Sequence, residues 1–145
     1  MSGNQKRPLR VKVSLLIHAT EDLGKVLKAL QNIFPANYAE KIEVTTRELQ
    51  GYYKNPITLL ETCIKERGGI AVFLKELFQR LEAEDRAVLS SEFGMHVDSK
   101  AFLYIRLDKQ EAFCNRIKLC FIDPIHIQVK LNYIPRTLEE LEANL

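Results

Sequence analysis

The sequence has no run approaching the roughly 20 consecutive apolar residues of a membrane-spanning helix. Its first residues also lack the charged-then-apolar stretch and small-residue cleavage site of an export signal. These absences set the expectation of a cytoplasmic protein with no membrane partner. Cysteine is scarce: Cys63, Cys114 and Cys120 are odd in number and share no short paired spacing. Neither a disulfide framework nor a zinc site is expected from them, and the thiols should be free and mostly buried. His18, His96 and His126 have no mutual spacing that defines a metal site, and none stands in a nucleophile–base arrangement. A phosphate-binding glycine loop is missing too, because Gly68-Gly69 follows a helical pattern and suits its termination. No repeat, low-complexity tract or linker interrupts the chain. The expectation is a non-enzymatic protein that needs no metal and no cofactor.

Charge of one sign is not in large excess either. A net charge of +2 does not by itself indicate nucleic acid, but its distribution is uneven: Lys6 to Lys12 holds four cations and no acid, while Thr137 to Leu145 holds three glutamates. With 145 residues, 46% hydrophobic and 28% charged, the chain has material for one domain with a substantial core. The expected organisation is a single domain over 1–145, with a loose start over 1–8, a core over about 9–134 and an acidic helix over about 137–144.

What the sequence does contain is alternation. Along residues 101 to 107, Ala101, Leu103, Ile105 and Leu107 share one side of a strand, and Phe102, Tyr104 and Arg106 the other. Residues 10 to 19 repeat the asymmetry, with Val11, Val13, Leu15 and Ile17 opposing Arg10, Lys12, Ser14, Leu16 and His18. Around Lys41 to Glu48, Ile42 and Val44 oppose Lys41, Glu43, Thr45 and Arg47; over 125 to 133, Ile125, Ile127, Val129 and Leu131 oppose His126, Gln128, Lys130 and Asn132.

Helical patterns separate these strands. Thr20 can cap a helix with Glu21 and Asp22 in its first turn and Leu23, Val26, Leu27, Leu30, Ile33 and Phe34 as its apolar stripe, before Pro35 stops it. Asn55 and Pro56 resemble a second helix start, continuing through Leu59, Leu60, Cys63 and Ile64 to Gly68-Gly69. A third stripe runs through Ile70, Phe73, Leu74, Leu77, Phe78 and Leu81, with a polar continuation to Glu92. Asp108 and Glu111 form a capping pattern before Ala112 and Phe113, and Thr137 can cap the acidic terminal helix. Capping explains the acidic pairs at 21–22 and at 108 and 111 more simply than catalysis does. The fold class this predicts is α+β, a mostly antiparallel sheet with helices packed on one face.

Four segments, His18-Ala-Thr-Glu-Asp22 with Lys25-Val-Leu-Lys-Ala-Leu30, Gly51-Tyr-Tyr-Lys-Asn-Pro-Ile57, Arg106-Leu-Asp-Lys-Gln-Glu-Ala112 and Asp123-Pro-Ile125, occur in an order that resembles a family of small archaeal RNA-binding proteins. The resemblance covers about residues 10 to 131. It implies a fold similar to the ribosomal protein that binds 5S RNA, RNA as partner, and an exosome-associated role in RNA processing. Where this chain has Tyr52, Tyr53 and Lys54, the family's loop usually has histidines and a second glycine; the lysine adds charge suited to a polyanion.

If the aliphatic sides of the strands are pooled under helices, the opposite side displays Arg10, Lys12, Lys41, Arg47, Arg106 and Lys130, with Phe102 and Tyr104 among them. Two partners suit such a face. For RNA, the contacting residues would be Arg10, Lys12, His18, Arg47, Tyr104, Arg106 and Lys130, joined by Tyr52, Tyr53 and Lys54 at what would be a helix N-terminus. For a homodimer or a protein partner, the aromatics would be buried and the charges would form the rim. Since no metal ligands are spaced for folding, chelation is expected to leave the thermal unfolding midpoint unchanged; a large drop would reveal a metal site.

Overall fold

The alternation at residues 10 to 19 becomes the centre of a sheet. The computed structural model describes residues 5–39, 41–50 and 55–145. Its strands are β1 (Pro8–His18), β2 (Thr45–Gln50), β3 (Pro56–Ile64), β4 (Phe102–Leu107) and β5 (Ile125–Leu131). They form one five-stranded sheet in the order β2-β3-β1-β5-β4, with every neighbouring pair antiparallel. The helices among the described residues are α1 (Leu23–Asn32), α2 (Ala36–Ala39), α3 (Arg67–Arg80), α4 (Ala83–Ser91), α5 (Lys109–Phe113) and α6 (Leu138–Ala143). The fold is therefore α+β, with an antiparallel sheet and helices covering one of its faces. No helix among the described residues is long and apolar enough to cross a membrane.

One face of the sheet is sealed. Val11, Val13, Leu15, Ile17, Leu60, Ile64, Leu103, Ile105, Leu107, Ile127 and Val129 are all buried there. Against them lie Val26 and Leu30 of α1, Ile33 at its C-cap, and Ile70, Phe73, Leu74, Leu77 and Phe78 of α3, with Phe34 and Phe73 ring centroids 5.0 Å apart. Burial of these aliphatic sets, at about 25 cal/mol per Å² of apolar surface removed from water, is the main term favouring the fold.

Several local expectations are corrected. The second expected helix is strand β3. Leu59, Leu60, Cys63 and Ile64 fit a helical stripe as well as a sheet, but β-branched Ile57, Thr58, Thr62 and Ile64 favour the extended form. Pairing on both sides, with β1 and with β2, decides it. Gly68 and Gly69 consequently open α3 instead of closing a helix. Gly69 is buried, and a Cβ there would lie 2.2 Å from the Tyr38 hydroxyl. The second strand starts at Thr45 rather than Lys41, so Lys41 and Glu43 leave the sheet, while Ile42 and Val44 pack partly against the core. At α1 the cap is Asp22, which accepts from the Lys25 N–H at 3.3 Å; Thr20 and Glu21 precede the helix. Asp108 caps α5 as expected, but Glu111 turns to Arg116 instead of back to the cap. The cysteines are free, yet Cys63 and Cys114 are exposed rather than buried, because Cys63 falls on the uncovered side of β3 and Cys114 ends α5.

The two sheet edges differ. The outer side of β4 is occupied: Tyr104 N–H donates to the His96 carbonyl at 2.8 Å and Cys120 N–H to the Arg106 carbonyl at 3.0 Å. Leu119 N–H in turn donates to the Asp85 carboxylate of α4 at 2.9 Å, which fixes that covering segment. All six residues of β2 are exposed.

Thr62 is 3% exposed on the core side of β3, and its hydroxyl has no hydrogen-bond partner among the described residues. A buried, unmatched hydroxyl costs about 1–3 kcal/mol. Thr62→Val should therefore raise stability by about 1 kcal/mol, seen as a higher urea midpoint with an unchanged slope.

Candidate nucleic-acid interface

Opposed residues in an antiparallel pair share a face, so the register maps the uncovered side of the sheet without ambiguity. It consists of cross-strand rows. The first is Phe102, Lys130 and Arg10; the second is Tyr104, Gln128, Lys12 and Cys63; the third is Arg106, His126, Ser14, Glu61 and Thr45. The fourth is Leu16, Leu59 and Arg47, and the fifth is His18, Ile57 and Leu49. All seven expected residues that lie in strands, Arg10, Lys12, His18, Arg47, Tyr104, Arg106 and Lys130, occupy this one face. Arg47 stands apart from the other cations, behind Leu16 and Leu59. Tyr52, Tyr53 and Lys54 lie outside the described residues. Asn55 and Pro56 lead into β3, so the expected helix N-terminus after that loop, with its free N–H groups, does not exist.

The first three rows form a basic and aromatic field. Lys130 Nζ sits 4.6 Å from the Phe102 ring centroid, a cation–π contact, and the Phe102 and Tyr104 rings are 6.3 Å apart. Tyr104 donates its hydroxyl hydrogen to Asp98 Oδ2 at 2.9 Å, and Asp98 also accepts from the Phe102 N–H at 3.0 Å. The N–H of Phe102, followed by the Tyr104 hydroxyl, outweighs the opposing effect of burial and holds the Asp98 carboxyl below its usual value; the Asp98 bond pushes the Tyr104 phenol up. Tyr104 is thus a fixed ring with its hydroxyl committed. Lys12 pairs with Glu61 at 2.8 Å, both half-exposed. Arg10, Arg47, Arg106 and Lys130 make no ion pair among the described residues. His126 has an exposed side, but partial burial of its ring, and then the neighbouring Arg106 charge, hold its pKa below the ordinary 6.5.

The remaining rows are largely apolar. Leu16, Leu49, Ile57 and Leu59 adjoin one another by register across β1, β3 and β2, and Leu49 is 37% exposed. Three of these four lie in segments whose sheet placement requires β3, so reading that strand as a helix hid the patch.

At the β1 end of the face, His18 Nε2 lies 3.1 Å from Asp123 Oδ1, and Lys109 Nζ lies 2.9 Å from Asp123 Oδ2 and 3.1 Å from Glu21 Oε1. Glu21 also accepts from the His18 N–H at 2.9 Å, and Lys109 donates to the Leu16 carbonyl. Asp123 adopts φ 47°, a left-handed conformation that Asp tolerates better than most residues. Ligand atoms of His18, Glu21 and Asp123 fall within 4.8 Å of one another, a grouping that no local spacing announced. The ammonium of Lys109 already bridges both carboxylates, so the cation of this cluster is a side chain and its role is to bind the β1 turn to α5 and to the loop before β5. Lys109 is 12% exposed. Lys109→Met should destabilise the fold by about 1–3 kcal/mol, measured by urea unfolding.

Comparison with known proteins agrees with this architecture. A family model described as RNA binding matches residues 10–131. An RNA-binding protein of Pyrococcus abyssi is 37% identical over 131 residues, covering 89% of this chain and 85% of that one. An uncharacterized protein of Methanocaldococcus jannaschii is 31% identical over 136 residues, covering 90% and 89%. Among solved structures, a protein of Archaeoglobus fulgidus assigned to DUF54 superposes with a TM-score of 0.77 at 30% identity, covering 94% of this chain and 96% of that one. A DUF54 protein of Methanothermobacter thermautotrophicus gives a TM-score of 0.70 at 25% identity, covering 94% of each chain. The chain is a member of this RNA-binding, DUF54 family.

Proposed function

We propose that this protein binds RNA, without catalysing a reaction on it, through the basic and aromatic rows of its open sheet face. The observation that carries the reading is the third-to-first row arrangement: Arg106, Lys130 and Arg10 stand on three adjacent strands without carboxylate partners among the described residues, around two aromatic rings. Phosphates are neutralised by such cations, and bases stack on Phe102 and Tyr104. Family membership and the name of the Pyrococcus relative support it. Lys12 joins by exchanging Glu61 for a phosphate, an exchange that costs little because exposed ion pairs contribute about 0–1 kcal/mol. His18 and Arg47 flank the field, and Tyr52, Tyr53 and Lys54 add contacts from the chain between β2 and β3. The family resemblance suggests a place in an exosome-associated RNA-processing complex and a fold similar to the 5S-RNA-binding ribosomal protein.

A second reading has its own observation. The apolar patch of Leu16, Leu49, Ile57 and Leu59 next to the exposed strand β2 suits a protein partner or a second copy. Light scattering separates the cases: a dimer dissociated by Leu59→Glu assigns that end of the face to self-association and leaves the basic end for RNA.

RNA affinity should fall steeply as salt rises, and Arg106→Ala and Lys130→Ala should each reduce the log–log salt slope by about 0.7 for single strands. Lys54→Ala should do the same without changing unfolding. Salt-independent binding would contradict a phosphate mechanism, and a Lys54→Ala variant that binds like the parent would remove the loop from the interface.

A further inference from the structure

We infer that Arg106 and His126 form a phosphodiester-binding pair within the open face, and that occupying it takes up a proton, so that RNA is held more tightly as pH falls. This presupposes that the face binds RNA and names the group through which binding is regulated.

Arg106 on β4 stands directly opposite His126 on β5, and Ser14 on β1 stands opposite His126 on the other side. A guanidinium, an imidazole and a hydroxyl therefore line one row across three strands, a donor set matched to phosphate oxygens. The surrounding charges leave the pair unsatisfied. Asp123, in the loop before β5, divides its oxygens between His18 and Lys109. Glu61 on β3, beyond Ser14, is bound to Lys12 of β1. On the segment outside β4, Cys120 donates its N–H to the Arg106 carbonyl and its thiol contacts the Ile122 carbonyl. Neither Arg106 nor His126 makes an ion pair among the described residues.

In the free protein, burial and the Arg106 charge disfavour the imidazolium, with Asp123 opposing them more weakly. A phosphate oxygen shared by both residues offsets the repulsion from Arg106 and accepts a hydrogen bond from the protonated ring, which raises the pKa in the complex. Between the free and bound pKa values, His126 is neutral in the free protein and charged in the complex. Affinity then rises as pH falls through that window, by up to about tenfold per pH unit for one proton, and is flat on either side of it.

The test uses the full chain with two probes, a single-stranded oligouridylate and a stem-loop RNA. Filter binding is measured at constant ionic strength from about pH 5.5 to about pH 8, the range in which histidine titrates. For whichever probe binds, the parent should tighten toward acid pH, His126→Gln should lose that dependence, and His18→Gln should retain it. Nuclear magnetic resonance of the His126 ring should show a higher pKa with RNA than without. Circular dichroism melting should show the parent midpoint for His126→Gln, because the side chain is exposed. Binding without pH dependence, or a dependence that survives in His126→Gln, overturns the proton-linked pair and leaves the RNA reading standing. Failure of both probes to bind at low salt at any pH overturns both.

Discussion

Burial of one face of the sheet, and one only, is the constraint on which everything else in this molecule depends. Along central strand β1, Val11, Val13, Leu15 and Ile17 are between 0% and 6% exposed, while Arg10, Lys12, Ser14, Leu16 and His18 face away from the helices. Side chains alternate with a period of two, so a one-residue slip in register would drive Arg10 and Lys12 into the core and expose four aliphatic residues. The energy that fixes the register therefore also sorts the cations. The basic field is a consequence of core formation, assembled although its like charges repel one another.

The surroundings give that field a rigid border on one side. Segments around His96 and Cys120 take up the backbone groups along the outer edge of β4, and Asp85 of α4 anchors the second of them. Asp98 holds the Tyr104 hydroxyl. A ring fixed in this way would lose little freedom in the stacking proposed for it, which would lower the entropic cost of that contact. Strand β2, at the opposite edge, has no such cover among the described residues, and the apolar patch lies toward it.

Two kinds of lysine illustrate how context separates an exposed ion pair from an enclosed one. Lys12 is half-exposed and holds one carboxylate, an interaction that solvent and salt weaken and a phosphate can replace. Lys109 is nearly enclosed and ties two carboxylates and a carbonyl from distant parts of the chain. That network closes the His18 end of the face, and it binds His18 through Asp123, so His18 is more constrained than its place in the strand pattern alone indicates.

Alternation by itself determined that residues 10 to 19, 101 to 107 and 125 to 133 hold strands with one aliphatic side, which the structure bounds as Pro8–His18, Phe102–Leu107 and Ile125–Leu131, and hence that Arg10, Lys12, Tyr104, Arg106 and Lys130 would lie on the other. The caps at Asp108 and Thr137 were equally legible, since a cap is a contact three residues away in the chain. Four things were decided by tertiary structure. Pro56–Ile64 is a strand because β1 and β2 flank it, an outcome its locally ambiguous apolar pattern could not dictate. That pairing then created the Leu16, Leu49, Ile57 and Leu59 patch. The Lys109 cluster joins residues 88 positions apart in Glu21 and Lys109, and the Arg106 and His126 pair depends on β4 lying beside β5. Local energetics set the side of a strand to which a residue belongs, but which strands become neighbours is fixed only when the whole apolar surface is buried at once.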